Sequence, residues 1–193
     1  MAIQLNGIHI LLTYSCNYEC DHCFVWGGPF KEGTLTLEQL DEILTQATEL
    51  RTVEWIYFEG GEPFLYQPVL VKAVETAAGA GFNVGLVSNA YWATEVRDAL
   101  EWLRPFAGLV QALSVSSDLF HHCEEMDRTA RNAAEAAGQL GIPVGTISIA
   151  RPEADAGSAV GQLPLGESAV QFRGRAAEKL VGGVTRLPWE GFS

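Results

Sequence analysis

The spacing of apolar residues along the chain predicts β-strands that alternate with α-helices. Five short runs rich in branched apolar residues have the character of buried strands, and they occupy residues 7–14, 53–58, 83–87, 109–115 and 144–150. The segments between successive runs carry apolar residues at helical spacing. Because parallel strands are joined by helical crossovers, this alternation predicts an α/β fold with a parallel sheet.

Capping and breaking residues mark where the predicted helices begin and end. Residues 36–39 have the sequence of a capping box, which places the first helix directly after Thr36. Pro68 is predicted to begin the second helix, which Gly79 or Gly81 would close, and Thr94 is predicted to cap the third. These signals predict the ends of the helices independently of the spacing of apolar residues.

Polar or small residues follow the first four predicted strands where each strand ends. They are the cysteine segment 16–23, Gly60-Gly61-Glu62, Ser88-Asn89 and Ser116-Ser117-Asp118. Because parallel α/β folds bind ligands at the carboxyl ends of their strands, we expect these residues to share one site. The alternatives are ordinary ones: a turn at the two glycines with a solvated Glu62, and a helix N-cap at residues 116–118.

Three cysteines lie within eight residues, directly after the first predicted strand. They are Cys16, Cys20 and Cys23, and the other cysteine of the chain is Cys123. Three thiolates without a fourth could hold an iron–sulfur cluster in which one iron stays open to a ligand. A zinc site completed by a histidine or by Cys123 is the alternative.

Composition and charge narrow the function classes. The chain has 193 residues, which fits one domain, and its net charge of −12 disfavours a general nucleic-acid-binding face. No apolar stretch reaches the length of a membrane span, and bunched cysteines suit a metal site in a reducing compartment. We therefore expect a cytoplasmic protein without a membrane anchor.

The cysteine spacing and the residues after the second strand resemble one known family. The pattern C-x3-C-x2-C at positions 16, 20 and 23 resembles the signature of the radical S-adenosylmethionine (radical SAM) superfamily. The segment Gly60-Gly61-Glu62-Pro63 looks like the GGE motif of that family, which contacts the methionine amino group of SAM. Its position after the second strand is the context that this motif requires.

The resemblance implies roles for residues farther along the chain. The methionine carboxylate and the ribose hydroxyls would be held by Ser88, Asn89, Ser116 and Asp118. His22 occupies the position where the family usually has an aromatic residue beside the adenine. Arg175, or its neighbour Arg173, resembles a late Gly-Arg-Ala element of peptide-modifying members; the alternative is an arginine that only closes the end of the barrel.

The fold and reaction that the resemblance implies are specific. The fold would be a partial (β/α)6 barrel with parallel strands, and the cofactors would be a [4Fe–4S] cluster and SAM. Reductive cleavage of SAM would give methionine and a 5′-deoxyadenosyl radical that abstracts hydrogen from a substrate. A peptide or protein side chain is the preferred substrate class, small molecules and nucleotide derivatives stay open, and a reductase, flavodoxin or ferredoxin would supply the electron.

Two features depart from the peptide-modifying members, and one non-catalytic alternative stays open. No cysteine follows Cys123, so the auxiliary-cluster extension of many such members is not expected here. The last βα unit is short, with a predicted sixth strand at 168–172. We expect either a compact member or a chain that stops before its C-terminal part; residues 1–180 would form the domain and 181–193 a tail. The alternative is a zinc- or cluster-binding module or an electron-transfer partner, which would not require the Gly60–Pro63 motif. No catalytic side chain is assigned.

Overall fold

A six-stranded parallel sheet forms the centre of the structure, a computed structural model that describes residues 4–116, 124–149, 167–168 and 170–183. The strands are β1 (Gly7–Thr13), β2 (Trp55–Gly60), β3 (Asn83–Ser88), β4 (Ala112–Ser116), β5 (Val144–Ile149) and β6 (Glu167–Ser168). They lie side by side in chain order, and every neighbouring pair is parallel. This confirms the predicted α/β fold with a parallel sheet.

Helices connect the strands. They are α1 (Leu37–Leu50), α2 (Gln67–Gly79), α3 (Val96–Leu103), α4 (Glu124–Gln139) and α5 (Gly174–Lys179), with short 3₁₀ turns at Pro63–Tyr66, Arg104–Phe106 and Val181–Gly183. Since each strand returns in the same direction, the carboxyl ends of all strands meet at one edge of the sheet. Within the described segments, no helix is both long and apolar enough to cross a membrane.

The core lies between the sheet and the helices that cover it. Its completely buried large side chains include Phe58, Phe64, Phe106, Leu70, Leu86 and Leu103. On α4 the buried face is made of alanines, Ala133, Ala136 and Ala137, whose small side chains let this helix lie close to its neighbours. The predicted stripe of α1 is buried at its centre, at Leu40 and Leu44, whereas its two ends are exposed.

The first helix begins where the capping box predicts. The main-chain N–H of Gln39 donates to Thr36 Oγ1 (3.2 Å), and the main-chain N–H of Thr36 donates to Gln39 Oε1 (2.9 Å). The second helix begins one residue before Pro68, and Gly79 is its last residue. Gly81 follows at a φ of 93°, the left-handed conformation that turns the chain towards β3.

Predicted boundaries were wrong at four elements. β2 runs from residue 55 to 60 rather than from 53 to 58, because its pairing with β1 extends from Trp55 to Gly60. Thr94 does not cap α3, because the N-cap is Glu95 and the Thr94 hydroxyl donates to Asp98 Oδ2 instead (2.6 Å). β4 begins at residue 112 rather than 109, since residues 109 and 110 complete the turn after the Arg104–Phe106 3₁₀ helix. β6 consists of Glu167–Ser168 alone, and residues 170–172 are not part of a strand. There the main-chain N–H of Arg173 bonds the carbonyl of Gln171, which turns the chain into α5.

Truncation of a core aromatic side chain provides a test of this packing. Phe58 is 0% exposed and Phe30 is 93% exposed. We expect Phe58→Ala to lower the free energy of unfolding by about 3–5 kcal/mol, because it removes buried area and leaves a cavity. The matched change Phe30→Ala should stay within about 0.5 kcal/mol. Urea unfolding followed by circular dichroism measures both, and equal effects of the two changes would contradict the described core.

Candidate functional site

A cavity opens at the carboxyl edge of the sheet, beneath the loop that carries the cysteines. The loop contributes Cys16, Tyr18, Cys20, His22, Cys23, Phe24 and Gly27 to its lining. The strand ends contribute Glu59, Gly60, Gly61, Val87, Ser88, Asn89 and Ser116. The fold thus brings together the ends of β1 to β4, as the sequence pattern predicted.

Main-chain hydrogen bonds join the end of the cysteine loop, at Gly28, to its beginning at Tyr14 and Cys16. The main-chain N–H of Cys16 donates to the carbonyl of Gly28 (3.1 Å), and the N–H of Gly28 donates to the carbonyl of Tyr14 (3.2 Å). The N–H of Cys23 donates to the carbonyl of Cys20 (3.1 Å) and closes a tight turn. The irregular segment after the third cysteine is therefore part of the scaffold that holds the first one.

The cysteine sulfurs receive N–H donors. The main-chain N–H of Tyr18 points at Cys16 Sγ (3.4 Å), and that of Gly27 points at Cys23 Sγ (3.2 Å). The side-chain amide of Asn89 also donates to Cys16 Sγ (3.7 Å). Donors of this kind stabilise metal-bound thiolates and adjust cluster potentials. Burial raises the pKa of Cys16 to about 11, so a bound metal would have to displace its proton.

The three thiols of the loop are the donors that this site offers to a metal. All three are free of disulfide bonds and line one cavity. Across the described ranges, no three His, Cys, Asp or Glu side chains are arranged to hold one metal ion. Thiolates are the usual ligands of iron–sulfur clusters and also bind zinc. The donor set therefore fits a cluster and keeps the zinc alternative open.

Gly60 and Gly61 let the end of β2 lie directly against the start of the loop. A Cβ atom on Gly60 would lie 2.4 Å from the carbonyl oxygen of Thr13, and one on Gly61 would lie 2.1 Å from that of Ser15. The main-chain N–H groups of Gly61 and Glu62 donate to these same two carbonyls (2.7 and 2.8 Å). Both glycines therefore have a packing role, and both also line the cavity.

The Glu62 carboxylate lies beneath the cavity lining and is 0% exposed. Its Oε1 accepts hydrogen bonds from the main-chain N–H of Phe64 (3.1 Å) and from the Ser88 hydroxyl (2.9 Å). Its Oε2 accepts one from the main-chain N–H of Asn89 (2.8 Å). Burial raises the pKa of Glu62 to about 7, although the three donors act in the opposite direction. The contact with the methionine amino group stays a prediction.

Ser88 connects Glu62 to the buried indole of Trp92 by hydrogen bonds. Its Oγ accepts from the main-chain N–H of Ala90 and from Trp92 Nε1, both at 3.0 Å. Because two N–H donors already point at this oxygen, the hydroxyl hydrogen is directed to Glu62. Trp92, which is buried in the core, is thus also a hydrogen-bond donor in the network below the site.

Asn89 connects the network to the first cysteine. Its Nδ2 donates to Asn17 Oδ1 (2.9 Å) as well as to Cys16 Sγ, while its Oδ1 accepts from the main-chain N–H of Tyr91 (3.0 Å). Asn89 is 7% exposed and therefore held in place. The sequence indicated Asn89 as a cofactor ligand but gave no sign that it contacts Cys16.

Arg175 lies behind the loop and does not line the cavity. Its Nη1 donates to the carbonyl of Cys20 (2.7 Å), and its Nη2 donates to the carbonyl of Gly27. Its main-chain N–H donates to the carbonyl of Cys23 (2.8 Å). These bonds favour the alternative in which Arg175 closes the end of the barrel. The direct contact with a cofactor, which the family resemblance implies, stays a prediction.

Several site residues were missed or lie outside the described ranges. Glu59 lines the cavity and its Oε1 lies 3.2 Å from His9 Nδ1; its position beside Gly60 was the available signal. His22 and Ser116 line the cavity, and their contacts with the adenine and the ribose stay predictions. Asp118, and with it the predicted contact to the ribose, lies outside the described residues, as do Ser117 and residues 121–123.

Comparison with known proteins adds a family match. The sequence model of the radical SAM superfamily matches residues 10–151. A putative peptide biosynthesis protein of Bacillus subtilis, YydG, is 30% identical over 115 residues, 59% of this chain and 36% of the relative. An S-adenosylmethionine-dependent nucleotide dehydratase of a Fibrobacter species is 28% identical over 128 residues, 63% of this chain and 36% of the relative. The chain thus spans little more than a third of the length of these curated relatives.

Solved structures share the fold. Streptococcus suis SuiB bound to S-adenosylmethionine matches with a TM-score of 0.58 and 14% identity, over 78% of this chain and 35% of SuiB. Methylornithine synthase (PylB) matches with a TM-score of 0.59 and 14% identity, over 87% of this chain and 54% of PylB. At such identities the likeness concerns the fold alone, and it agrees with the predicted partial barrel.

Substitution of Gly174 tests how closely α5 lies against the loop. Gly174 has a φ of 56°, and a Cβ atom there would lie 2.5 Å from the carbonyl carbon of Phe24. We expect Gly174→Ala to lower the free energy of unfolding by about 1–3 kcal/mol. Gly79→Ala is the matched control, since nothing lies within 4 Å of its Cβ position. Guanidinium unfolding of the metal-free protein compares the two, and similar results would refute the described contact.

The pH dependence of stability tests the burial of Glu62. Because its pKa rises from 4.5 to about 7 on folding, the folded state binds a proton more tightly than the unfolded state. Stability from this group is therefore full below pH 4.5 and is lost as the pH rises through 7, by up to about 3 kcal/mol. The free energy of unfolding of Glu62→Gln minus that of the wild type should thus increase from pH 5 to pH 7.5. Glu42→Gln, at an exposed site on α1, is the matched control. If the free energy of unfolding of Glu62→Gln differed from that of the wild type by the same amount at every pH, the burial of this carboxylate would be contradicted.

Proposed function

The chain belongs to the radical SAM superfamily, and we propose that it is an enzyme that cleaves S-adenosylmethionine reductively at a [4Fe–4S] cluster held by Cys16, Cys20 and Cys23. The observation that carries this proposal is the placement of the three cysteines: all line one cavity at the strand ends, and two of the sulfurs receive N–H donors. A cluster with three thiolate ligands leaves one iron open. When bound, the cluster would supply the electron for cleavage of SAM into methionine and a 5′-deoxyadenosyl radical, which would abstract hydrogen from the substrate.

The strand ends would hold SAM beside the cysteines. We assign the methionine amino group to the segment Gly60–Glu62 with Pro63, since both glycines line the cavity and Glu62 holds the adjacent strand end. The methionine carboxylate and the ribose hydroxyls are assigned to the polar side chains Ser88, Asn89, Ser116 and Asp118. These residues would orient the cofactor by hydrogen bonds, while the apolar loop side chains limit the access of water.

The aromatic side of the cavity is proposed to take the adenine. His22 and Phe24 line it from the loop, and their flat rings suit a stacked base. The guanidinium of Arg173 lies 5.2 Å from the centre of the Phe24 ring, which supports the position of that ring. His22 would thus replace the aromatic residue that the family usually has at this place.

We propose a peptide or protein side chain as the substrate. The name of the Bacillus relative refers to peptide biosynthesis, and SuiB has also been solved with its precursor peptide SuiA. A nucleotide derivative is the second candidate, because the Fibrobacter relative is named a nucleotide dehydratase. A cytoplasmic reductase, flavodoxin or ferredoxin would supply the electron, and residues 1–180 would form the catalytic domain.

Removal of one loop cysteine tests the proposal. After anaerobic reconstitution with iron and sulfide, we expect the wild type to bind iron and sulfide as a cluster and, with dithionite and SAM, to release 5′-deoxyadenosine. Cys20→Ala should abolish both, because the cluster loses one of its three thiolates. Elemental analysis, visible absorption and liquid chromatography are the measurements.

Cys123→Ala is the matched control, since it removes a thiol outside the C-x3-C-x2-C motif. It should retain the cluster and the cleavage of SAM. A colourless wild-type protein with one tightly bound zinc ion would overturn the proposed function and leave the non-catalytic alternative.

A further inference from the structure

Two charged side chains are buried in the part of the chain that the structure describes, and both adjoin the cysteine loop. They are Glu62, which is 0% exposed, and Arg175, which is 4% exposed. Glu62 is connected to Cys16 through Asn89. Arg175, which lies on α5, contacts the loop directly. Burial of a charged side chain costs free energy unless hydrogen bonds or an opposite charge compensate for it. Packing alone therefore does not explain the position of Arg175.

Arg175 is attached to two of the three proposed ligands. Its guanidinium binds the carbonyl of Cys20, and its main-chain N–H binds the carbonyl of Cys23. It also binds the carbonyl of Gly27, the residue whose own N–H donates to Cys23 Sγ. The positive charge is therefore fixed against the backbone of the turn that carries Cys20 and Cys23.

The negative charge beside Arg175 compensates for it only in part. Glu19 Oε1 lies 3.5 Å from Nη2, and the Glu19 side chain is 60% exposed. Water screens an exposed carboxylate much more than it screens a buried guanidinium. The backbone carbonyls satisfy the N–H donors of Arg175 but do not cancel its charge. Glu19 therefore leaves the charge of Arg175 partly uncompensated.

We propose that Arg175 is a positioning residue that raises the reduction potential of the cluster, so that it accepts an electron more readily. This inference rests on the proposed function, because it concerns a cluster at Cys16, Cys20 and Cys23. Reduction adds one negative charge to the cluster. A fixed cation in a poorly solvated region stabilises the reduced form more than the oxidised form. Hydrogen bonds to the carbonyls alone would hold the loop without this charge effect.

The test compares variants that separate charge from loop geometry. Arg175→Gln removes the charge and keeps one amide donor, whereas Arg175→Lys keeps the charge and loses the planar fork. Arg97→Gln is the matched control, since it removes an exposed arginine on α3 that does not line the cavity. The measurement is an anaerobic redox titration of the reconstituted proteins, without SAM, followed by visible absorption and electron paramagnetic resonance.

We expect the reduction equilibrium constant to fall about tenfold in Arg175→Gln, which is about 59 mV for a one-electron couple. The constant should stay near the wild-type value in Arg175→Lys and in Arg97→Gln. An unchanged potential in an Arg175→Gln protein that holds a full cluster would overturn the inference. So would equal shifts in the Gln and Lys variants, since these would indicate loop geometry rather than charge.

A further variant decides the matter if Arg175→Gln does not take up a cluster. In Arg175→His the same loop carries a charge at low pH and none at high pH. Its potential relative to the wild type should fall from pH 6 to pH 8, and a difference that does not change with pH would refute the charge effect. If the wild type itself takes up no cluster, the proposed function fails instead, so the two failures are distinguishable.

Discussion

The close contact between two backbone segments determines the arrangement of the site. Residues 60–62 lie against residues 13–15, joined by main-chain hydrogen bonds of 2.7 and 2.8 Å at a separation that only glycine permits. This contact continues the pairing of β1 and β2 past the register shift near the end of β1. It places the start of the cysteine loop over the carboxyl edge of the sheet, and it directs the Glu62 side chain into the protein interior.

Glu62 then joins the ends of two strands. Its carboxylate accepts hydrogen bonds from Ser88 and Asn89, at the end of β3, and Asn89 in turn reaches Cys16. Because Glu62, Ser88 and Asn89 are buried, the position of the first cysteine depends on contacts below the cavity. Arg175 performs a similar task for the other two cysteines from behind the loop. The loop is thus supported on both sides by charged groups that water does not reach.

Family membership and geometry explain different parts of this site. The match to the radical SAM superfamily covers residues 10–151, which include the cysteine loop and the residues after β2. It does not identify a substrate, since the chain spans 36% of each of the two curated relatives compared above and these carry different names. The substrate class therefore remains within the proposed function. What the structure adds is a set of supporting contacts that belong to this chain: Trp92 on Ser88, Asn89 on Cys16, and Arg175 on the loop.

The local sequence determined the alternation of strands and helices, the capping box at Thr36 and the order of the polar groups along the sheet edge. Each of these depends on neighbours within a few residues, so hydrophobic period and capping chemistry were sufficient to predict them. The cysteine spacing was equally local. Thr94 shows the limit of such local prediction. Its residue type is typical of an N-cap, but the N-cap of α3 is Glu95, and the Thr94 hydroxyl donates to Asp98 instead.

Only the tertiary structure decided what lies beneath and behind the site. The bond from Ser88 to Glu62 spans 26 residues, that from Asn89 to Cys16 spans 73, and that from Arg175 to Cys20 spans 155. No local pattern encodes such pairings, since they arise when the parallel crossovers bring distant strand ends to one edge. The sequence therefore identified which residues could do the chemistry, whereas burial and long-range hydrogen bonds decided which of them face the cavity and which hold the others in place.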